Sequence, residues 1–305
     1  MSFEEQERAL FDLLFDRILR EQFCKNPIAA LSNYQLDEQE QNDFAEIRTD
    51  GLELDANLRI GLLLPHLCKV YPITFSIVSS LIRGIDMLKD LVDQQTMRTP
   101  PVDRSTTYGS RLRDCLPVSA FDSENEYKIV IAILEAELGM VLTSATLKRV
   151  ILEKGQSKLN QAEIVQDWLT RPIRLAPYVC AGIIPQPYTQ LKSTLIPCAD
   201  NELWRHLNRT PLSASQRKQA LQLEDPRLLI TRAQVSHMSN CEPTVYQQTV
   251  ELAEGFAPLF QHVNGTACME EILAQFKLAG APDQLLESVQ AGFLQLLENA
   301  MLELV

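Results

Sequence analysis

The sequence predicts a mainly α-helical protein with a small α+β domain at its C-terminal end. Apolar residues recur at helical spacing through much of the first 150 residues. Five prolines interrupt residues 172–197 beside short β-capable runs. From residue 228 onward the patterns read as strand, three helices and strand, which is the order of a winged helix. We therefore expect a helical domain at residues 1–210, ending in a Pro-rich middle with short strands, and a winged-helix-like domain at residues 211–305.

The N-terminal patterns predict three helices in succession. Residues 4–24 are amphipathic, and their pattern ends before Pro27. A second helix runs through residues 56–70, with Pro65 kinking or ending it. Pro72 suits the first turn of a third helix, which continues through residues 73–93 and is packed in the core.

Residues 96–153 contain first a segment with helix-breaking residues and then a strongly helical one. Residues 96–117 mix Pro, Ser, Thr and Gly with four arginines, which predicts an exposed basic loop or a short helix. Residues 124–142 are apolar nearly all round, as in a buried bundle helix, and Thr143 or Ser144 could cap a successor that ends near residue 153.

The second half is predicted to begin with extended structure. Residues 172–197 are expected to be extended segments or edge strands, followed by a brief helix near residue 204 and a polar linker with helix potential. The patterns of the last segment predict, in order, a strand at 227–238, helices at 244–265, 266–280 and 282–300, and a closing strand at 301–305.

Composition excludes several classes of function. The formal net charge is −12, with 14 acidic and 6 basic residues before position 66 and 9 acidic residues against one lysine after position 240. Acidic ends disfavour nucleic acid as a partner. Gly-rich phosphate loops, G-x-S-x-G and H-E-x-x-H are absent from the sequence. Its seven cysteines are scattered singly and its four histidines are not helical neighbours, so we expect no zinc site and no disulfide framework. Without a signal peptide or an uncharged apolar run long enough to span a bilayer, the chain is expected to be cytoplasmic and not in a membrane.

Two groups of residues are candidates for chemistry or contact. Glu135 and Glu137 lie beside an apolar helix surface, where a buried carboxylate can act as an acid or base. Because the two residues are two positions apart on a helix, they face different ways. The alternative is therefore one partnered and one solvated glutamate. The second group contains residues of types that are enriched at interfaces, and its alternative is a solvated loop. Its members are Arg98, Arg104, Tyr108, Arg111 and Arg113.

The C-terminal segment resembles the PqqD-like peptide-recognition element of ribosomal-peptide modification systems. The resemblance is carried by "DPRLLITRA", "FAPLFQHVNGTACMEEILAQF" and "LLESVQAGFLQLLENAMLEL". The predicted third helix has no Lys or Arg, which disfavours DNA binding through it. A peptide can instead add as a strand to such a fold. The resemblance implies peptide binding on the strand and on the third helix near Val289, Phe293 and Leu297, for which core packing is the alternative. The strand residues are Leu228, Leu229, Ile230, Thr231, Arg232 and Ala233.

Residues 55–140 resemble the partner proteins of TIM-barrel multinuclear iron oxidases, known from methanobactin biosynthesis and the 3-thiaglutamate pathway. The matching motifs are Arg59, Tyr71-Pro72-Ile73-Thr74, Pro100-Pro101, Tyr108-Gly109 and Leu134-Glu135. The length of the chain and its separate C-terminal domain bring it closer to the 3-thiaglutamate type, in which a C-terminal cysteine of a carrier peptide loses its β-carbon.

This resemblance implies a non-catalytic subunit without a cofactor of its own. The iron lies in the barrel subunit, and the chain binds the carrier peptide and docks against the barrel. The residues expected at the interface with the barrel are Tyr71, Arg98, Arg104, Tyr108, Arg111, Arg113 and Glu135. Two alternatives stay open: a regulatory or DNA-binding protein, for which the mildly basic middle leaves room, and a small enzyme with a dispersed active site.

Overall fold

The computed structural model describes residues 3–154, 167–222, 225–238 and 243–305 and is mainly helical, with short antiparallel strands, as the sequence predicts. The helices of the first half are α1 (Phe3–Phe15), α2 (Arg17–Lys25), α3 (Pro27–Ala30), α4 (Glu38–Ala45), α5 (Thr49–Val70), α6 (Pro72–Ser79), α7 (Gly84–Asp90), α8 (Gln94–Arg98), α9 (Pro101–Cys115) and α10 (Glu124–Lys154).

The second half contains all the strands that the structure describes. In chain order its elements are β1 (Pro172–Leu175), β2 (Val179–Ile184), α11 (Tyr188–Leu195), α12 (Leu203–Arg209), α13 (Ala214–Leu221), β3 (Arg227–Met238), β4 (Pro243–Ala253), α14 (Ala257–Phe260), β5 (Asn264–Cys268), α15 (Met269–Leu278), α16 (Asp283–Glu298) and β6 (Leu302–Leu304). The strands form two antiparallel sheets, in the orders β2-β3-β4 and β5-β1-β6.

Contacts within the chain define two compact units. Unit 1 comprises Met1–Ala120 and Ile196–Arg217, and unit 2 comprises Phe121–Leu195 and Lys218–Val305. This division differs from the predicted boundary after residue 210. The long helix α10 packs against β2, β3 and β4, so it belongs with the sheet rather than with the N-terminal helices. Conversely, α12 packs against α5 and α6 and returns to unit 1.

Helix α6 is the centre of unit 1, since each of its residues is buried. Its serine hydroxyls are satisfied locally: Ser76 donates to the Pro72 carbonyl at 2.8 Å and Ser79 to the Ser76 carbonyl at 2.7 Å. The Phe75 ring packs edge-on against Trp204 of α12, with ring centroids 6.0 Å apart. A short helix can be buried on all sides when its polar groups bond to its own backbone.

Two predicted N-terminal helices are interrupted in the structure. The predicted helix at residues 4–24 stops at Phe15, because Asp16 is extended and its carboxylate caps α2 by accepting from the Leu19 amide at 2.9 Å. The predicted helix at residues 73–93 stops at Ser79 and restarts at Gly84, because Arg83 has a left-handed backbone, with φ 57°.

The structure decides between alternatives at two further points and contradicts one predicted boundary. Pro65 lies inside α5, so it does not end the helix. Of the two alternatives for residues 96–117, an exposed loop or a short helix, residues 101–115 form a helix, α9. Helix α10 continues without a break past Thr143 and Ser144, whose hydroxyls donate back to the Met140 carbonyl at 2.9 and 3.0 Å instead of capping a new helix.

The middle of the chain agrees with the prediction in its strands and differs in one helix. Residues 172–184 supply β1 and β2 as expected, whereas residues 188–195 form α11 and not an extended run. Among the described helices, α10 alone is long and apolar enough, as a single unbent helix, to cross a bilayer. Core helices of soluble proteins share that length and composition.

Residues 243–253, predicted as part of a helix, form the strand β4. It pairs antiparallel with β3 over its whole length, from Arg227 opposite Ala253 to Met238 opposite Pro243. Val250 and Leu252 alternate with residues that point to the other side, and they pack against the buried cluster around Phe293. The long pairing with β3 therefore overrides the helical interpretation of this segment.

The sheet β2-β3-β4 is covered by unit 2 on both faces. On one face, Leu229 packs with Met140 of α10 and Ile184 of β2. On the other face, Leu228 and Ile230 join the largest buried cluster of unit 2, which includes Trp168, Ile173, Phe293, Leu296 and Leu297. This alternation is what a strand buried on both faces requires.

Candidate functional site

The two tyrosines predicted at the interface with a partner are core residues of unit 1. Tyr71 and Tyr108 are fully buried. The Tyr71 hydroxyl donates to the Ser105 carbonyl at 2.8 Å, and the Tyr108 hydroxyl donates to the Leu88 carbonyl at 2.9 Å. Burial holds the pKa of Tyr108 well above its usual value. Neither side chain lies at the surface, so the interface assignment is wrong for both.

Arg98 and Arg104 are also used inside unit 1. The Arg98 guanidinium forms an ion pair with Asp12 of α1 and lies over the Phe11 ring, 5.3 Å from its centroid. Arg104 donates to the backbone carbonyls of Met97 and Thr99, at 3.1 and 3.3 Å. These contacts tie α8 and the turn after it to α1 and α9.

Arg111 has the same structural role, whereas Arg113 is a surface residue. Arg111 forms an ion pair with Asp93 and donates to the Leu91 carbonyl and the Thr96 hydroxyl, each at 3.3 Å. Arg113 pairs with its chain neighbour Asp114 at 3.1 Å. Of the four arginines, Arg113 is thus the one whose contact within unit 1 is purely local.

Replacement of Arg111 by lysine is expected to lower the free energy of unfolding by about 1–2 kcal/mol, because the Nη1 atom makes all three contacts and a lysine side chain ends one bond short of that position. Arg113→Lys is the matched control, with an expected change within about 0.5 kcal/mol. Urea denaturation followed by circular dichroism measures both. Equal stability of the two variants would contradict the structural role of Arg111.

The glutamate pair on α10 divides into one solvated and one partnered side chain, which is the alternative that the sequence favoured. Glu135 is exposed, and Glu137 is fully buried. The Tyr188 hydroxyl donates to the Glu137 carboxylate at 3.1 Å. In the part of the chain that the structure describes, no group of three or more His, Cys, Asp or Glu residues is arranged to hold a metal ion.

The strand predicted to bind a peptide is the central strand of its sheet. Residues 227–232 of β3 pair with β2, and residues 227–238 pair with β4. Both edges of Leu228–Ala233 are therefore occupied, and no peptide strand can be added there. This rules out the predicted mode of binding at these residues.

The side chains of these strand residues have structural partners. Leu228 and Ile230 are in the core, and the Thr231 hydroxyl is 3.4 Å from that of Thr249. Arg232 is partly buried, which lowers its pKa, and it donates to the Asn299 carbonyl at the C-terminal end of α16 at 3.0 Å. A cation at this end of a helix is favourable.

The three helix residues predicted near a peptide are buried as well. Val289, Phe293 and Leu297 all belong to the main cluster of unit 2, and the Phe293 ring lies 5.7 Å from that of Phe260. Core packing, the alternative stated from the sequence, is what the structure shows for them.

A long strand lies at the edge of the sheet β2-β3-β4. In the described part of the chain, β4 pairs with one strand only, β3, and it is the longest strand at the edge of a sheet. An edge strand presents one row of its backbone N–H and C=O groups away from the sheet. Sequence analysis missed this strand because it assigned these residues to a helix, although the β-branched and aromatic residues in "TVYQQTV" favour a strand.

Amide and hydroxyl groups on the side chains of β3 and β4 form a connected ladder beside this edge. The Tyr246 hydroxyl donates to Gln234 at 2.6 Å, Gln234 donates to Gln248 at 2.5 Å, and Gln248 donates to Asn299 at 2.7 Å. Such a network holds the side chains of Tyr246 and Gln248 in place on β4.

Comparison with known proteins finds no family model, no curated protein and no solved structure that matches this chain.

Proposed function

We propose that this chain is the non-catalytic, peptide-binding subunit of a heterodimeric iron-dependent oxidase that modifies a cysteine of a ribosomally made carrier peptide. The reaction is of the 3-thiaglutamate type, excision of the β-carbon of a C-terminal cysteine. The iron lies in a TIM-barrel partner subunit in the cytoplasm, and this chain has no cofactor of its own. The resemblance of residues 55–140 and of the C-terminal segment supports this proposal.

The single observation that carries peptide binding is the position of β4 at the end of its sheet, where, among the described strands, it pairs with β3 alone. Strand addition needs a free row of backbone donors and acceptors, and β4 offers an 11-residue strand paired on one side. We assign the remainder of this region to the winged-helix-like, PqqD-like class. It comprises the sheet β5-β1-β6 and the helices α14, α15 and α16.

Co-expression tests the subunit assignment. The chain is produced together with a TIM-barrel multinuclear iron oxidase and, separately, alone. We expect the two proteins to co-purify, iron to be present in the complex, and conversion of the cysteine-bearing peptide to require both. Turnover by the isolated chain would contradict the proposal, as would salt-sensitive binding of duplex DNA without affinity for the barrel protein.

Proline substitution tests the β4 edge. Along a strand, consecutive N–H groups point to opposite edges, so of Gln248 and Thr249 one donates towards β3 and the other towards the open edge. The proline that removes the N–H directed at β3 is expected to destabilise unit 2. The proline that removes the N–H directed away from β3 is expected to keep the melting temperature of unit 2 and to weaken binding of the carrier peptide at least tenfold.

Alanine at the same two positions is the matched control for this experiment. Gln248→Ala and Thr249→Ala keep both N–H groups and are expected to change peptide affinity less than the folded proline variant does. Fluorescence anisotropy with the labelled carrier peptide measures affinity. A folded proline variant with unchanged affinity would exclude strand addition on β4.

A further inference from the structure

Helix α5 has an apolar stripe on the side opposite its buried face. Its buried residues are Leu52, Ala56, Leu64, Leu67 and Cys68. On the other side lie Leu54, Leu58 and Leu62, which are 62%, 59% and 80% exposed. Their spacing of four residues places the three side chains in one row along the helix. A row of leucines at this exposure is not explained by the packing of unit 1.

Gly61 and Pro65 continue the stripe on the same side of α5. A Cβ atom added to Gly61 would meet nothing within 4 Å. The surface beside Leu58 and Leu62 is therefore open and locally flat, and another helix can approach it closely. The stripe runs from Leu54 to Pro65, which at the rise of an α-helix is about 16 Å.

The charges of α5 are unevenly distributed along it. The acidic residues Asp50, Glu53 and Asp55 lie in its first third, Arg59 lies at its middle and Lys69 in its last turn. Asp50 pairs with the preceding Arg48 and Asp55 with Arg59, in exposed ion pairs that contribute little energy. Asp50 and Lys69 are the two charges at the ends of the stripe, and both side chains are exposed. Such a distribution is complementary to itself when a second α5 runs in the opposite direction.

We propose that two copies of this chain pair through α5, antiparallel, about a two-fold axis that crosses the helix between residues 59 and 60. In this register Leu58 of one copy lies over Gly61 of the other, and Leu54 lies over Pro65. Asp50 lies opposite Lys69 at both ends. One axis thus brings together two kinds of apolar pair and the charge pairs, with Leu62 opposite Asn57, and it passes through the midpoint of Thr49–Val70.

A second copy is favoured over an unrelated partner because the two halves of α5 are complementary to each other. A two-fold interface must be complementary to itself, so a contact of residue i with residue j is always repeated as j with i. An unrelated partner places no such requirement on the two ends of α5. One pair of helices buries less area than a standard interface, so we expect a dimer with a Kd on the order of 10–100 µM. The proposal does not rest on the oxidase function.

Sedimentation velocity of the full chain between about 1 and 200 µM tests the proposal. We expect the weight-average sedimentation coefficient to rise from the monomer value towards the dimer value. Leu58→Glu is expected to be monomeric throughout this range, with an unchanged circular dichroism spectrum, because the side chain lies at the surface. Ile82→Glu is the matched control: Ile82 is almost wholly exposed, lies in unit 1 outside α5, and is expected to leave association unchanged.

Charge reversal tests the register. Lys69→Glu is expected to weaken association at least fivefold, and Asp50→Lys combined with Lys69→Glu to restore it to within about twofold. Because reversed charges at the two ends of α5 oppose the helix dipole and Asp50→Lys removes the ion pair with Arg48, circular dichroism and thermal unfolding of each variant check that α5 stays folded.

Three outcomes would overturn the proposal. They are a wild-type chain that is monomeric at 200 µM, a dimer that survives Leu58→Glu, and a double charge variant that does not recover. A monomeric chain in which Leu58→Glu abolishes co-purification with the barrel protein would assign the stripe to that partner. Loss of binding to phospholipid vesicles in the same variant would assign it to a membrane surface.

Discussion

Gly84→Ala is expected to unfold unit 1, with a loss of more than about 4 kcal/mol in the free energy of unfolding. A Cβ atom at this position would lie 1.8 Å from the carbonyl oxygen and 2.9 Å from the carbonyl carbon of Val78. The clash is with backbone of the buried helix α6, so a rotamer change cannot relieve it. The Gly84 amide also donates to the Leu81 carbonyl at 2.9 Å, which fixes the turn between α6 and α7.

Gly51→Ala is the matched control for this prediction. Gly51 lies in the first turn of α5, where an added Cβ would meet only the Arg48 Cβ at 3.9 Å, an ordinary contact. Alanine there is expected to be neutral or to stabilise by up to about 1 kcal/mol. Hydrogen exchange measured by mass spectrometry, together with urea denaturation, locates the effect in unit 1. Cooperative unfolding of Gly84→Ala at the parent midpoint would refute the close approach.

Phe293→Ala is expected to destabilise unit 2 by about 3–5 kcal/mol, the cost of removing a buried aromatic side chain. Phe293 is fully buried and contacts the cluster that joins α16 to the sheet, including Ile230. The sequence suggested Phe293 as a peptide contact, for which truncation would weaken binding and leave stability unchanged. From the structure we expect the reverse: Phe293→Ala lowers the free energy of unfolding of unit 2, and any loss of binding follows from that unfolding.

Leu285→Ala is the control on the same helix, since Leu285 is about half exposed. Its expected cost is below about 1 kcal/mol. Thermal unfolding and hydrogen exchange of α15 and α16 distinguish the two variants. If Phe293→Ala keeps the parent midpoint while peptide affinity falls, the assignment of Phe293 to the core is wrong.

Elements set by local periodicity were predicted well. Helices α5, α10, α15 and α16 and the strands β1, β2, β3 and β6 lie where the apolar spacing placed them, with boundaries displaced by several residues. The interruptions at Asp16 and at Arg83-Gly84 were missed, although both have local signals. Asp is a preferred N-cap, and glycine commonly marks a close approach of backbones.

The candidate site was predicted less well, because it depends on contacts between distant segments. The sequence singled out Arg98 and Arg111 as possible donors to a partner, but the carboxylates that they pair with, each through a single nitrogen, are Asp12 and Asp93 of the same chain. No pattern along the sequence indicates whether an arginine is paired within its own chain or left for a partner. The same holds for β4. Its composition favours a strand, but it does not indicate that this strand pairs with β3.

The sequence by itself determined that the chain is mainly helical and that Glu135 and Glu137 face different ways, because helical periodicity is a local property. Only the tertiary structure decided that Tyr71 and Tyr108 are buried, that β3 lies inside its sheet, and that β4 lies at the edge of that sheet. Burial and strand order depend on which surfaces the rest of the chain covers in the folded protein. Packing between residues far apart in sequence determines that coverage.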